Sequence, residues 1–412
     1  MAGQDAPCGR RQPGRLVLIG NGMAGMRTVE EILARAPGRF AITVFGAEPH
    51  VNYDRIMLSP LLAGEKSFDE IVIHDRDWYA ARGIELLAGE KAVGIDRMAR
   101  RVRGASGTVR SYDLLIVATG SNPVVIPVPG ADLPGVVTFR DAADVDAMLE
   151  AAGRYRNAVV IGGGLLGLEA ANGLRANGME VTVVHLMPTL MERQLDPAAA
   201  ELLRNDLERR GIRVMTGANT KAILGENRVH GVLLDDGTEI PADLVVMAVG
   251  IRPNTDLARA IGLECRRGVV VDDAMRTSDP RIYAVGECAE HRGVTYGLVA
   301  PLWEMAKVCA DRIARTADSS YEGAILATRL KVTGIDMFSA GDFLGGEDTE
   351  EILYRDAAHG IYKRLVVKEG RIRGAVLYGD ARDGGWYFRM LREGTDIAAQ
   401  RDALIFGPAY AS

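Results

Sequence analysis

AVVIGGGLLGLEAA, residues 158 to 171, is a short apolar strand that runs into glycines and then into helix-forming residues. RLVLIGNGMAGMRTVEEI, residues 15 to 32, has the same grammar. In each, β-prone residues precede GxGxxG and helical spacing follows, so both read strand, tight turn, helix. The chemistry of a bound pyrophosphate asks for glycine at these three places. The first permits the turn, the second lets the backbone approach the phosphates, and the third lets helix pack on strand. Gly20, Gly22 and Gly25 fill the first set; Gly162, Gly164 and Gly167 fill the second. Met23 and Ala24, like Leu165 and Leu166, then open helices whose unpaired N–H groups face the phosphates. A lone copy of the motif also serves plain packing, but two copies in strand-helix context point to two dinucleotide sites.

Composition narrows the class. The chain has 412 residues, 48% of them hydrophobic, which suits roughly three domains with filled cores. A net charge of −6 with no polybasic run speaks against nucleic acid as a partner. No apolar run approaches the roughly 18 residues of a membrane span, and the N-terminal residues lack a signal-peptide core, so the expected location is cytoplasmic. Cys8, Cys265, Cys288 and Cys309 are too scattered for a disulfide scaffold, a local metal or iron-sulfur motif, or a dithiol of neighbouring cysteines.

A residue that reads the adenosine ribose is expected about 20 positions past each turn. In FAITVFGAEPH that residue is Glu48, whose carboxylate accepts from both ribose hydroxyls. The second strand, in MEVTVVHLMPTLMERQLD, ends instead at His185. An imidazole does not repel a 2′-phosphate, and Arg193 lies near enough in sequence to meet one, so both NADH and NADPH are admitted; the alternative is that His185 merely caps the strand.

Two further segments, YDLLIVATGSNPVVIPVPG and ADLVVMAVGIRPNTDL, are each a strand, then a small-residue turn, then a proline-rich exit. Ala118, Thr119 and Gly120 in one, and Gly250 in the other, mark where the chain crosses between nucleotide domains, unless these are ordinary β-turns. TSDPRIYAVGECAEH places Gly286 and Glu287 after a strand, where an acid suits the ribityl or pyrophosphate end of FAD.

These features together resemble the two-dinucleotide flavoprotein reductases of the pyridine nucleotide-disulfide oxidoreductase superfamily. PHVNYDRIMLSPLLAGEK, HLMPTLMERQLD, YGLVAPLWEMA, TRLKVTGIDMFSAGD and GIYKRLVVKEGRIRGAVLYGD most resemble the N-terminal flavin half of the large subunit of assimilatory nitrite reductase. The resemblance implies an α/β protein with two Rossmann-like domains, one for FAD and one for NAD(P), and a small α+β C-terminal domain. It implies an FAD-dependent NAD(P)H oxidoreductase of nitrite or nitrate assimilation. It further implies a separate redox partner: an iron-sulfur, sirohaem or molybdenum reductase subunit, or a small electron carrier. A homodimer stays open. Disulfide reductases carry a cysteine pair on the first helix, absent from MAGMRTVEEI, and peroxide-reducing relatives carry one in the loop that here reads YDRIMLSPLLAG. That loop offers Met57 and Ser59, neither a thiolate. The flavin is therefore expected to pass electrons to an external acceptor, with nitrite reduction beyond this stretch alone.

By the same resemblance, Glu169 points at the nicotinamide carboxamide, against the plainer reading of a solvent-facing glutamate. Arg55 meets the FAD phosphates or ribityl, against that of a surface arginine. The helix opening at Val299, with Pro301 in its first turn, aims its N-terminus at the flavin ring. The expected domains are 10–122 with 240–318 for FAD, 123–239 for NAD(P) and 319–412 for the C-terminal unit, preceded by a frayed tail. Two alternatives share these motifs: a rubredoxin- or ferredoxin-type reductase of another pathway, and a nucleotide-binding redox sensor with little turnover.

Overall fold

The computed structural model describes residues 13–330 and 334–411. Cys8 and the expected frayed tail fall outside them. The chain forms two compact units, one of residues 1–54, 72–122 and 252–323, the other of 55–71, 123–251 and 324–412.

The first unit is built on a five-stranded parallel sheet in the order Ile282–Ala284, Leu114–Val117, Gly14–Ile19, Phe40–Gly46, Glu85–Ala88. Its strands are continuous apolar runs because both faces are covered, as parallel sheets require; Leu16 and Leu18 have no exposed surface. Helices Met23–Arg35 and Val299–Ala314 pack on each other, fastened at their far ends by Arg35 Nε to Asp311 at 2.5 Å.

The second unit repeats the plan with a parallel sheet ordered Val136–Thr138, Leu244–Met247, Asn157–Ile161, Glu180–His185, Ile212–Thr216. A three-stranded antiparallel sheet, Thr220–Gly225, Val229–Leu234 and Glu239–Pro241, adjoins it. The same unit includes a five-stranded antiparallel sheet ordered Ala327–Leu330, Met337–Gly341, Arg371–Tyr378, Ile361–Lys368, Glu350–Asp356, with helix Gly384–Glu393 against it. The hydroxyl of Tyr362 donates to buried Asp196 at 2.6 Å, and that of Tyr378 donates to Asp206. Among the described residues no helix is long and apolar enough to cross a membrane.

Three boundaries differ from the sequence expectation. The chain leaves the first unit after Asn122 and returns at Arg252, where the sequence expectation has 240. The cause is strand Leu244–Met247, which the crossing motif follows and which pairs with both Asn157–Ile161 and Val136–Thr138. Residues 55–71, expected with the flavin domain, group with the second unit. There Leu62 packs at Gly173, where an added Cβ would come within 2.6 Å of its Cγ, and Asn177 Nδ2 donates to the Leu62 carbonyl at 2.6 Å. The C-terminal segment groups with the second unit from residue 324, instead of standing apart from 319.

Candidate functional site

Each glycine of the two turns has a separable reason. Gly20 sits at φ +113° and Gly162 at φ +122°, a region that penalises side chains. A Cβ on either would clash with a carbonyl, 2.1 Å from Ala118 O and 2.3 Å from Ala248 O respectively. Gly25 and Gly167 lie so close under the turns that a Cβ would stand 2.8 Å and 2.0 Å from the carbonyls of Gly20 and Gly162. Gly22 and Gly164 are otherwise. Their φ values, −84° and −85°, suit any residue. An added Cβ on either meets nothing within 4 Å. No contact among the described residues calls for glycine there, and the bare backbone leaves room for a group approaching from outside.

Gly22 and Gly164 are also the N-caps of helices Met23–Arg35 and Leu165–Ala176, and neither end has a side-chain cap or an acid in its first turn. The N–H groups at Met23, Ala24, Leu165 and Leu166 are left for an anionic ligand, which the helix dipole favours. Both turns therefore fit a dinucleotide pyrophosphate.

The first unit gathers its predicted residues around one turn. Ala118 lies beneath Gly20 and Gly25 as a small spacer. Gly286, at φ +87°, approaches Ala24, with an added Cβ 3.0 Å from the Ala24 methyl. The late segment thus shares the first turn's edge of the sheet. Ser121 Oγ donates to Glu287 at 2.7 Å, Thr119 Oγ1 to the Asn254 carbonyl at 2.7 Å, and the Asn254 N–H to Gly120 O at 2.9 Å. Past the second strand, Glu48 accepts from Tyr53 Oη at 2.6 Å. Val299 opens helix Val299–Ala314, whose N-cap, Leu298, provides no side-chain acceptor, and Pro301 is buried in its first turn. The sequence did not mark Asn21 or Tyr79 as part of the site. Tyr79 Oη donates to Asn21 Oδ1 at 2.7 Å and Asn52 Nδ2 to Asn21 O at 2.9 Å, so side chains from outside the motif brace its middle residue.

In the second unit Ala248 repeats the spacer role of Ala118, and Gly250, at φ +115°, accepts from the Val124 N–H at 2.9 Å. Glu169 lies on the helix after the turn and accepts from Ser59 Oγ at 2.6 Å. Burial raises its carboxyl to about 6, against the opposing pull of that hydrogen bond. Ser59, set aside in the sequence as no nucleophile, is thus the partner of the catalytic candidate. Arg55 falls in this unit, not in the first, and its Nη1 donates to the Arg140 carbonyl at 3.1 Å. His185 is buried, and its Nδ1 accepts from the Gly163 N–H at 3.1 Å while Nε2 meets Glu192 at 3.0 Å. Arg193 is exposed. Cys288 and Cys309 are buried single thiols, both raised by burial, so neither is a ready thiolate.

This geometry has a family. A model described as pyridine nucleotide-disulphide oxidoreductase matches residues 14–315. The chain belongs to that family. It is an FAD-dependent NAD(P)H oxidoreductase, and residues 327–395 match the rubredoxin NAD+ reductase C-terminal domain. It is 50% identical over 394 residues to a nitrite reductase [NAD(P)H] of Bacillus subtilis (strain 168), covering 96% of this chain and 49% of that one. It is 43% identical over 402 residues to the assimilatory nitrate reductase electron transfer subunit of the same organism, covering 97% and 52%. The chain therefore spans about half the length of these relatives. Among solved structures, the ferredoxin reductase for the CYP199A2 system from Rhodopseudomonas palustris superposes with a TM-score of 0.85 at 29% identity, covering 93% of this chain and 96% of that one.

Proposed function

We propose that this chain is the electron-entry flavoprotein of nitrite or nitrate assimilation in the cytoplasm. It takes a hydride from NAD(P)H at the second turn and delivers electrons, through FAD at the first, to a separate redox centre. The observation that carries the reading is the pair of open-faced glycines, Gly22 and Gly164, each at an uncapped helix end. The relatives that are nitrite reductase and nitrate reductase electron transfer subunit support the pathway.

FAD, when bound, supplies the two-electron to one-electron conversion that a nicotinamide lacks. The chain's residues do the rest. Gly20, Gly22, Gly25 and the helix end after them hold its pyrophosphate, Glu48 its ribose, and Glu287, oriented by Ser121, its ribityl side. Val299 and the helix it opens direct a positive dipole end toward the ring. In the second unit, Gly162, Gly164 and Gly167 hold the coenzyme pyrophosphate. Glu169 accepts from the nicotinamide carboxamide and fixes which carbon is presented, Ser59 holding its carboxylate in place. The acceptor is an iron-sulfur, sirohaem or molybdenum subunit.

Anaerobic stopped-flow mixing with NADH tests the core of this reading. The flavin absorbance should bleach within a turnover and return on adding the partner subunit with nitrite or nitrate. Bleaching with no return fixes the fault on the partner; no bleaching rejects the enzyme and leaves a sensor. The C-terminal match to rubredoxin NAD+ reductase favours one second reading, delivery to a small carrier. Reoxidation by rubredoxin or ferredoxin, but not by the nitrite-reducing partner, would select it.

A further inference from the structure

We infer that Glu192, held by His185, reads the adenosine ribose of the coenzyme and makes the chain select NADH over NADPH. This rests on the second turn being the coenzyme site. In a dinucleotide fold the carboxylate that binds the ribose diol stands at the end of the second strand. Here that strand, Glu180–His185, ends in an imidazole. The imidazole does not face solvent. It lies against the turn, with the Gly163 N–H donating to Nδ1 at 3.1 Å.

That bond sets the tautomer. A nitrogen accepting from a peptide N–H carries no proton, so in the neutral ring Nε2 holds it and donates to Glu192 Oε2 at 3.0 Å. The carboxylate missing from the strand end is thereby restored one side chain farther out. The backbone enforces the same return. Met191, in the left-handed region at φ +50°, donates its N–H to Gly163 O at 3.0 Å, and Leu190 packs at Gly163, where an added Cβ would come within 2.5 Å. Glu192 follows immediately. Its side chain keeps 30% of its surface exposed, against 11% for His185, so lone pairs remain for a ligand arriving at the turn.

A carboxylate in that place accepts from the 2′- and 3′-hydroxyls and repels a 2′-phosphate. Arg193 offers the opposite charge, but it is exposed, makes no ion pair among the described residues, and is screened by water and salt. The anchored anion beside the turn outweighs the free cation beyond it.

The test uses FAD-loaded protein and two probes that lack the reacting ring, 5′-AMP and 2′,5′-ADP, titrated calorimetrically, with ferricyanide kinetics for NADH and NADPH alongside. Native protein should bind 5′-AMP at least about tenfold more tightly than 2′,5′-ADP, and Glu192→Gln should narrow that gap by roughly tenfold, chiefly through tighter 2′,5′-ADP binding. His185→Phe, which keeps the bulk but frees Glu192, should narrow it in part. Equal or tighter binding of 2′,5′-ADP by native protein, abolished in Arg193→Ala, overturns the inference and gives the site to Arg193. An unchanged gap in Glu192→Gln overturns it as well. Should neither probe bind and neither coenzyme bleach the flavin, the second turn is no coenzyme site and the inference falls with it.

Discussion

The two glycine turns are one device built twice, and of the three positions where their motifs differ, the first has the plainest structural consequence. Between the first and second glycines stands Asn21 in one copy and Gly163 in the other. Asn21 is braced from outside by Tyr79 and Asn52. Gly163 is vacant so that His185 and Leu190 can close over it; an added Cβ would lie 2.8 Å from His185 Cγ and 2.5 Å from Leu190 Cδ2. The first turn is buttressed by distant segments, and the second is covered by the strand-end loop that follows it. The shared glycines thus repeat the turn, and the middle residue sets which segments pack on it.

The sharpest way to break the comparison is at the first glycine, where both copies should fail alike. Gly20→Val or Gly162→Val forces a side chain onto a carbonyl in a positive-φ residue, costing upwards of about 4 kcal/mol. Soluble yield and far-UV circular dichroism should both collapse, and a well-folded Gly162→Val would show that the turns are not equivalent.

The second glycines should part company. Gly22→Leu is expected to fold yet purify without yellow colour. Gly164→Leu is expected to keep FAD and raise KM for NADH by about 100-fold, some 2.7 kcal/mol of lost binding. Flavin content after gel filtration and steady-state kinetics read both. Loss of FAD from folded Gly164→Leu would reverse the assignment of ligands to turns.

Glu169 has no counterpart at the first turn, which makes it a test of where chemistry resides. With its carboxyl raised to about 6 by burial, it is neutral below that pH and anionic above. If the anion accepts from the carboxamide, kcat/KM for NADH rises through pH 6 and then levels. Glu169→Gln should flatten the profile and lower its plateau by roughly 10- to 100-fold, the range of a hydrogen bond to a charged group. Ser59→Ala removes the hydrogen bond that favours the anion, so the midpoint should move upward. A midpoint unmoved in Ser59→Ala would mean that the hydroxyl does not govern this carboxyl.

The smallest effect is expected at the middle position. Asn21→Ala strips the bond from Tyr79 and should cost about 1 to 2 kcal/mol in urea titrations while leaving coenzyme choice alone. Gly163→Ala should cost a comparable amount but loosen coenzyme discrimination by displacing His185. Identical phenotypes would dissolve the distinction between the turns.

Much of this was legible in the chain because the signals are local. Glycines at fixed spacing, a strand before them and a helix after them need no tertiary knowledge, and the small-residue crossings at Ala118-Thr119-Gly120 and Ala248-Val249-Gly250 announce themselves by repetition. Glu192 was not legible, because a left-handed Met191 has no sequence signature and the return of the loop depends on packing at Gly163. The pairing of Ser59 with Glu169 was hidden by more than a hundred intervening residues. The boundary at 240 was misplaced for a related reason: strand Leu244–Met247 belongs to whichever sheet its neighbours occupy, and only long-range pairing reveals that.

The two tyrosine hydroxyls of the C-terminal sheet have a mechanical meaning. Tyr362 and Tyr378 lie on adjacent strands, Ile361–Lys368 and Arg371–Tyr378, and are cross-strand partners in register. They reach Asp196 and Asp206, which sit at the cap and in the third turn of helix Pro197–Arg209. Asp196 is 5% exposed, so that anchor is insulated from competing water. A helix held at two points about ten residues apart cannot pivot on its sheet. The C-terminal sheet and helix Pro197–Arg209 are therefore yoked within the second unit, and a displacement of one carries the other with it.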